Sequence, residues 1–142
     1  MKLSELRSNT HARENGRWMT DLPNMGDLKI FTRGLRNAAA AKLTARFFES
    51  LPRKEKRGTL SIESRERLNT EILVETCVMP DPDTGKAWNL TDDAGADIPF
   101  SKEKLRELLT DPDYIDFRDA CLVAATTVAD NEDEEDKADL KN

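Results

Sequence analysis

Histidine is almost missing from this chain. His11 is the only one in 142 residues, and it stands in a polar stretch with no recognisable nucleophile held beside it. A Ser/His/Asp or Cys/His relay needs an imidazole within reach of its nucleophile, so neither is expected. Glycine is scarce as well, at 6 residues, and none falls in a phosphate-cradling loop. With paired carboxylates such as Asp92-Asp93 and Asp116-Asp119 assigned to turns or a wet helix side, no enzyme and no cofactor is expected. Cysteine occurs twice, as Cys77 and Cys121, with no Cys or His close by in sequence. Two buried thiols in a reducing compartment are the expected reading, ahead of a disulfide or a metal site. Apolar runs all fall short of the roughly 20 residues that cross a bilayer, and the first residues lack a signal-peptide core. The chain is therefore expected to be soluble and cytoplasmic, with no membrane partner.

Charge is what the sequence has in quantity. Charged residues make up 35% against 37% hydrophobic and only 6% aromatic, which leaves a modest core and favours order gained partly from a partner. The net charge of −6 conceals a division: residues 1–67 hold 15 Lys+Arg against 8 Asp+Glu, and residues 68–142 hold 7 against 20. Such a split steers association with charged partners, or lets copies of the chain attract head to tail. A basic patch drawn from Arg33, Arg36, Arg53, Lys54, Lys56, Arg57, Arg65 and Arg67, with Trp18 and Phe31 nearby in sequence, has the composition of a nucleic-acid surface. The acidic half would compete for those cations, so a solvated or protein-facing surface is the preferred reading.

In chain order, residues 1–16 read as a mobile arm or a frayed helical turn. Arg17–Leu22 and Leu28–Thr32 are expected as strands of a loose hairpin, joined by the turn chemistry of Pro23-Asn24-Met25-Gly26-Asp27. Asn37 caps a helix through about Leu51, with Ala40, Leu43, Phe47, Phe48 and Leu51 on one side and Lys42, Arg46 and Glu49 on the other. Pro52 ends it, and Arg53–Gly58 reads as a basic loop. Ser61 caps a third helix from Ile62 to about Met79. Its apolar residues lack a single face, so it is either buried on several sides or gives way to a strand over ILVETCVM, and helix is preferred.

The best-marked stretch runs from Asp92 to Ala125. Asp93-Ala94-Gly95 is a turn. Ser101 is an N-cap, with Phe100 and Leu105 astride it at hydrophobic-staple spacing. Leu105, Leu108 and Leu109 form an apolar edge, and Asp111-Pro112 ends that helix and opens the next. Tyr114, Phe117, Cys121, Ala125 and Val128 then recur every three or four residues on one face. Beyond Ala129 the chain is too acidic to pack and is expected to be a disordered tail. The expected fold is thus mainly α: one small helical domain over residues 1–129 with a short N-terminal β-hairpin, and then that tail.

Two connector features need a reading. Asp81 to Asp92 has acids at the first and third places of a calcium loop, but its glycine is one place early and Asp92 stands where a bidentate Glu belongs, so a solvated turn is preferred. Trp88 is either a core anchor or a hot spot for another protein. Val123 projects from the polar side of the last helix.

Trp88, an acidic Gly-containing turn, "ADIPFS", the helix "KEKLRELLTDP" and the final "FRDACLVAA" together resemble the C-terminal half of tail assembly chaperones of long-tailed bacteriophages. That resemblance implies a small helical protein of the host cytoplasm that keeps the long helical tape-measure protein soluble, helps recruit tail-tube subunits, and leaves as the tube polymerises. Members are often made in two forms by frameshifting, and the acidic tail from Asp130 suits such a junction. The residues expected to meet a partner are Leu43, Phe47, Phe48, Leu51, Trp88 and Val123; Phe100, Ser101, Leu105, Pro112, Phe117 and Cys121 are expected to hold the fold. Alternatives are a nucleic-acid-binding accessory protein using residues 29–67, or a structural tail or head-completion component retained in the virion. Self-association into a homo-oligomer is a further expectation.

Overall fold

A computed structural model describes residues 1–130, and the expected acidic tail lies almost wholly outside them. Among the described residues there are six α-helices and one antiparallel pair of strands, which makes the protein mainly α as its periodicity implies. No helix among them is long and apolar enough to cross a membrane.

The strands, β1 (Arg17–Met19) and β2 (Ile30–Thr32), are shorter than the alternation suggested and pair Trp18 with Phe31 at their centre. Positive φ at Asp21, Asn24 and Gly26 carries the long turn between them. A lone hairpin is marginal in water, and this one is completed from the other side. Ile30 bridges to Trp88 and Thr32 to Val78, while the Phe31 N–H donates to the Ala87 carbonyl at 2.8 Å. Covered on both edges and both faces, β2 is buried throughout.

Of residues 1–16, expected as a mobile arm or a frayed helical turn, Leu3–Leu6 form an exposed 3₁₀ turn and the stretch from Asn9 is docked. Asn9 caps α1 (Thr10–Asn15), its Oδ1 accepting from the Ala12 N–H at 3.0 Å. The segment is then tied to distant chain: the Asn9 N–H donates to Ala129 O, the Gly34 N–H to Arg13 O and Arg33 Nε to Glu14 O. Glu14 Oε2 accepts from the Ala38 N–H, which holds its carboxyl below the usual range, with Arg13 and Arg33 adding to the effect. Ala129, Gly34, Arg33 and Ala38 all lie far from α1 in sequence, so periodicity could not reveal these ties.

Asn37 starts α2 (Ala38–Ser50). Pro52 ends it as expected, but the basic segment after it is a short helix, α3 (Arg53–Lys56), rather than a loop. Glu55 explains the difference, because its Oε1 accepts from both Ser61 Oγ and Ser64 Oγ at 2.9 Å and fastens the turn to the next helix. Ser61 caps α4 (Ile62–Ile72), which widens into a π-helical turn over Leu73–Cys77. The Val78 N–H donates five residues back, to Leu73 O. This extra residue per turn rotates the side chains after it, and α2, α5 and α6 all pack against the turn. Leu73, Val74, Thr76, Cys77 and Val78 are consequently all buried, and the helix with no single apolar face is one buried on several sides.

Ser101 caps α5 (Lys102–Thr110) by accepting from the Lys104 N–H at 3.0 Å. Asp111 accepts from the Asp113 N–H at 2.9 Å and begins a 3₁₀ turn over Pro112–Tyr114 that leads into α6 (Ile115–Thr127). Three residues per turn there, instead of 3.6, carry Tyr114 away from the Phe117–Cys121 line. Tyr114 is therefore 48% exposed and not on the buried face where its spacing had placed it. An Arg106 ion pair with Glu71 and a second with Glu75 clamp α5 to the α4 segment.

Candidate partner-binding site

Trp88 lies at the meeting point of the connector and the C-terminal helices. Its ring stands edge-on to Phe100 (centroids 5.1 Å apart) and Phe117 (6.4 Å), and its Nε1 donates to Ile98 O at 2.7 Å. Only 4% of it is accessible, which places this ring as a core anchor rather than on the surface. The turn beside it is closed by the Asp92 carboxylate, which accepts from the Ala94 and Ala96 N–H groups, with Gly95 at φ 84°. Leu105, Phe117 and Cys121 are buried in the same cluster, Phe100 is half-buried against it, and Pro112 is exposed at the start of its turn.

Helix α2 distributes its expected contact residues unevenly. Leu51, just past its end, is buried. Leu43 and Phe47 are half-buried against the core, and the Arg67 guanidinium covers the Phe47 ring at 5.0 Å. Phe48 is 39% exposed. Ala40 is the one residue within α2 that is buried. The stripe is thus covered at Ala40, Leu43, Phe47 and Leu51 to differing degrees and opens to solvent at Phe48. On α6, Val123 is exposed, as is Ile115 two turns earlier; spacing had singled out Val123 but not Ile115.

Between the hairpin loop, the connector, α5 and the start of α6 opens a groove of about 640 Å³. Its apolar lining includes Met25, Leu28, Leu90, Leu108 and Phe117, and Asp27, Asp92, Asp93, Asp113 and Asp116 stand along it with Lys104. The sequence offered no route to this groove, because its walls come from four separate stretches of chain. The one local signal was the density of acids in TDDAGAD and DPDYID.

The remaining candidates are accounted for by ordinary packing and solvation. Asp81, first in the notional calcium loop, accepts from Trp18 Nε1 at 2.8 Å and from the Asp83 N–H at 3.0 Å. These bonds, the Asp83 N–H foremost, hold its carboxyl below the usual range. Trp18 and Phe31 do not lend stacking faces to the basic residues, since they pack edge-on to each other at 5.7 Å. Arg33 is drawn inward to Glu14 and the Thr76 carbonyl, whereas Arg36, Arg46, Arg53, Lys54, Lys56, Arg57 and Arg65 do not share that inward tie and are open to solvent to differing degrees. Both cysteines are free and buried. Burial pushes the Cys77 thiol up to about 11 and Cys121 higher still. His11 is exposed in α1.

The family model described as YdaY prophage protein matches residues 35–142. That span takes in α2 to α6, the aromatic cluster and most of the groove. No curated protein and no solved structure matches the chain.

Proposed function

The chain belongs to the YdaY prophage protein family and is phage-derived, and from that premise we propose that it is a tail assembly chaperone. In this reading it catalyses nothing, acts in the host cytoplasm, holds the tape-measure protein soluble and helps recruit tail-tube subunits. The observation that supports the proposal is that the apolar stripe of α2 is only partly covered: Phe48 is exposed, and Leu43 and Phe47 are half-buried at the margin of the core. A tape-measure protein presents apolar helix stripes of its own, and helix-on-helix contact is how such stripes are covered. Burying one such side chain fully is worth about 1.5–3 kcal/mol, so a few residues per copy suffice when many copies bind one long client.

Co-expression with the candidate tape-measure protein tests this. The client should be soluble and co-purify with the wild-type chain. It should lose both properties with Phe48→Glu while the variant still unfolds cooperatively on heating, which separates loss of the client from loss of the fold. Association held by apolar faces should also survive moderate salt. A client equally soluble with and without the chain, and no recoverable complex, would overturn the proposal.

A further inference from the structure

We propose that the acid-lined groove receives the basic ridge of a second copy of this chain, so that copies join head to tail. The groove combines an apolar floor with five aspartates, Asp27, Asp92, Asp93, Asp113 and Asp116. Among the described residues no ion pair engages any of the five, and Lys104, the cation beside them, is paired with Glu107. The complementary surface is on the same protein. From the end of α2 through α3, Arg46, Arg53, Lys54, Lys56 and Arg57 are all exposed and outnumber Glu49 and Glu55 in the same stretch; we take them as a basic ridge, likewise in no ion pair among the described residues. Ile62, 79% exposed and a few residues beyond α3, supplies apolar matter for the floor.

None of these ridge residues lines the groove of its own molecule. The attraction between the two surfaces is therefore satisfied between molecules. Groove and ridge are different patches, so the contact is heterologous: each bound pair keeps one groove and one ridge open, and addition continues into an array or a closed ring. Opposed surfaces of this kind also orient the encounter and discriminate against like-charged approach. The inference stands apart from the proposed function, since a self-associating chain that ignores the tape-measure protein would defeat that reading alone.

Sedimentation equilibrium of the purified full chain is the test. Raising salt from about 0.01 M to about 1 M cuts the screening length from about 30 to about 3 Å. The average mass should exceed the 16.1 kDa of one chain at low salt, grow with concentration, and return to one chain at high salt. Asp113→Lys/Asp116→Lys and Lys54→Glu/Arg57→Glu, all at exposed positions, should each weaken association roughly tenfold or more. An equimolar mixture of the two double variants should recover it, because each then offers the other a complementary partner. A chain monomeric at low salt overturns the proposal, as does a mixture that fails to recover. Association untouched by the groove variant would overturn it too, by moving the contact to another surface. Loss of DNA binding by the ridge variant, with self-association unchanged, would give the ridge to nucleic acid instead.

Discussion

Replacing Phe117 by alanine tests the packing behind the groove. The ring is 6% exposed, stands edge-on to Trp88 with an interplanar angle of 74°, and joins α6 to the connector. Truncating a buried Phe to Ala costs about 3–5 kcal/mol, the spread reflecting how far the site relaxes or fills. One side of Phe117 forms groove wall, so water enters the vacated space and the cost should lie toward the lower bound. Loss of the edge-on contact with Trp88 contributes about 0.5–1.5 kcal/mol to that figure. A loss of about 3–4 kcal/mol lowers the folding constant by roughly 100- to 1,000-fold, a large part of the 5–15 kcal/mol typical of a domain. Urea unfolding monitored by circular dichroism should show the midpoint falling by on the order of 1–2 M, for a slope of about 2 kcal/mol/M. Phe117→Leu, which keeps most of the volume, should cost less than about 1.5 kcal/mol. A loss under about 1 kcal/mol for the alanine variant would mean that α6 is not seated on Trp88 as described.

Asn37 should be the costliest helix cap in the protein. It caps α2 through Oδ1 and, while buried, donates from Nδ2 to Gly34 O and Thr76 Oγ1; Asn37→Ala should cost about 2–4 kcal/mol in urea unfolding, against about 1 for Ser101→Ala. Equal costs would show that Thr76 finds other partners. Gly16 sits at φ 88° with the position of a Cβ only 2.6 Å from Phe31 Cε1, so Gly16→Ala should lower stability by about 2 kcal/mol, and an unchanged melting temperature would refute that geometry. Cys77 and Cys121, both buried, should resist a thiol reagent until the chain unfolds; labelling of the native protein would place one at the surface. Because burial raises the Cys77 pKa from 9.0 to about 11, the native state holds the proton more tightly. That stabilisation is complete below about pH 9 and is lost as pH rises toward 11. Unfolding midpoints should fall over that window, and less steeply in Cys77→Ala; identical slopes would leave the thiol without a part in it.

Local chemistry was legible and distant chemistry was not. Asn37, Ser61, Ser101 and Asp111 each cap the helix or turn they precede, because a cap is a bond between residues two or three apart. The hairpin and the C-terminal helix pair were equally readable from alternation and from the Asp111-Pro112 break. Docking of α1 was invisible, since it depends on Ala129, Gly34, Arg33 and Ala38. The π-helical turn escaped for a different reason. Insertion of one residue destroys the periodicity by which a helix is recognised, so ILVETCVM read as ambiguous while being the most enclosed part of the chain. Of the expected contact residues, Leu51 and Trp88 carry as much apolar surface as any that stay outside, and composition alone cannot say which large side chain a small core will take.

The division of charge along the sequence coincides with a division in packing. The buried cluster draws heavily on the π-helical turn, α5, α6 and the Trp88 connector, whereas α2 gives it Ala40, with Leu43 and Phe47 at its margin, and α3 gives it nothing. Local stability tracks buried contact, so amide hydrogen exchange should be faster in α3 than in the π-helical turn, α5 and α6. On the proposed reading α2 must leave apolar atoms uncommitted, and Phe48 is where it does so. A groove meant to receive something has to keep its shape while empty, and its walls are fastened by the Asp92 turn, the Asn89 bonds to the hairpin loop and the Ser101 cap.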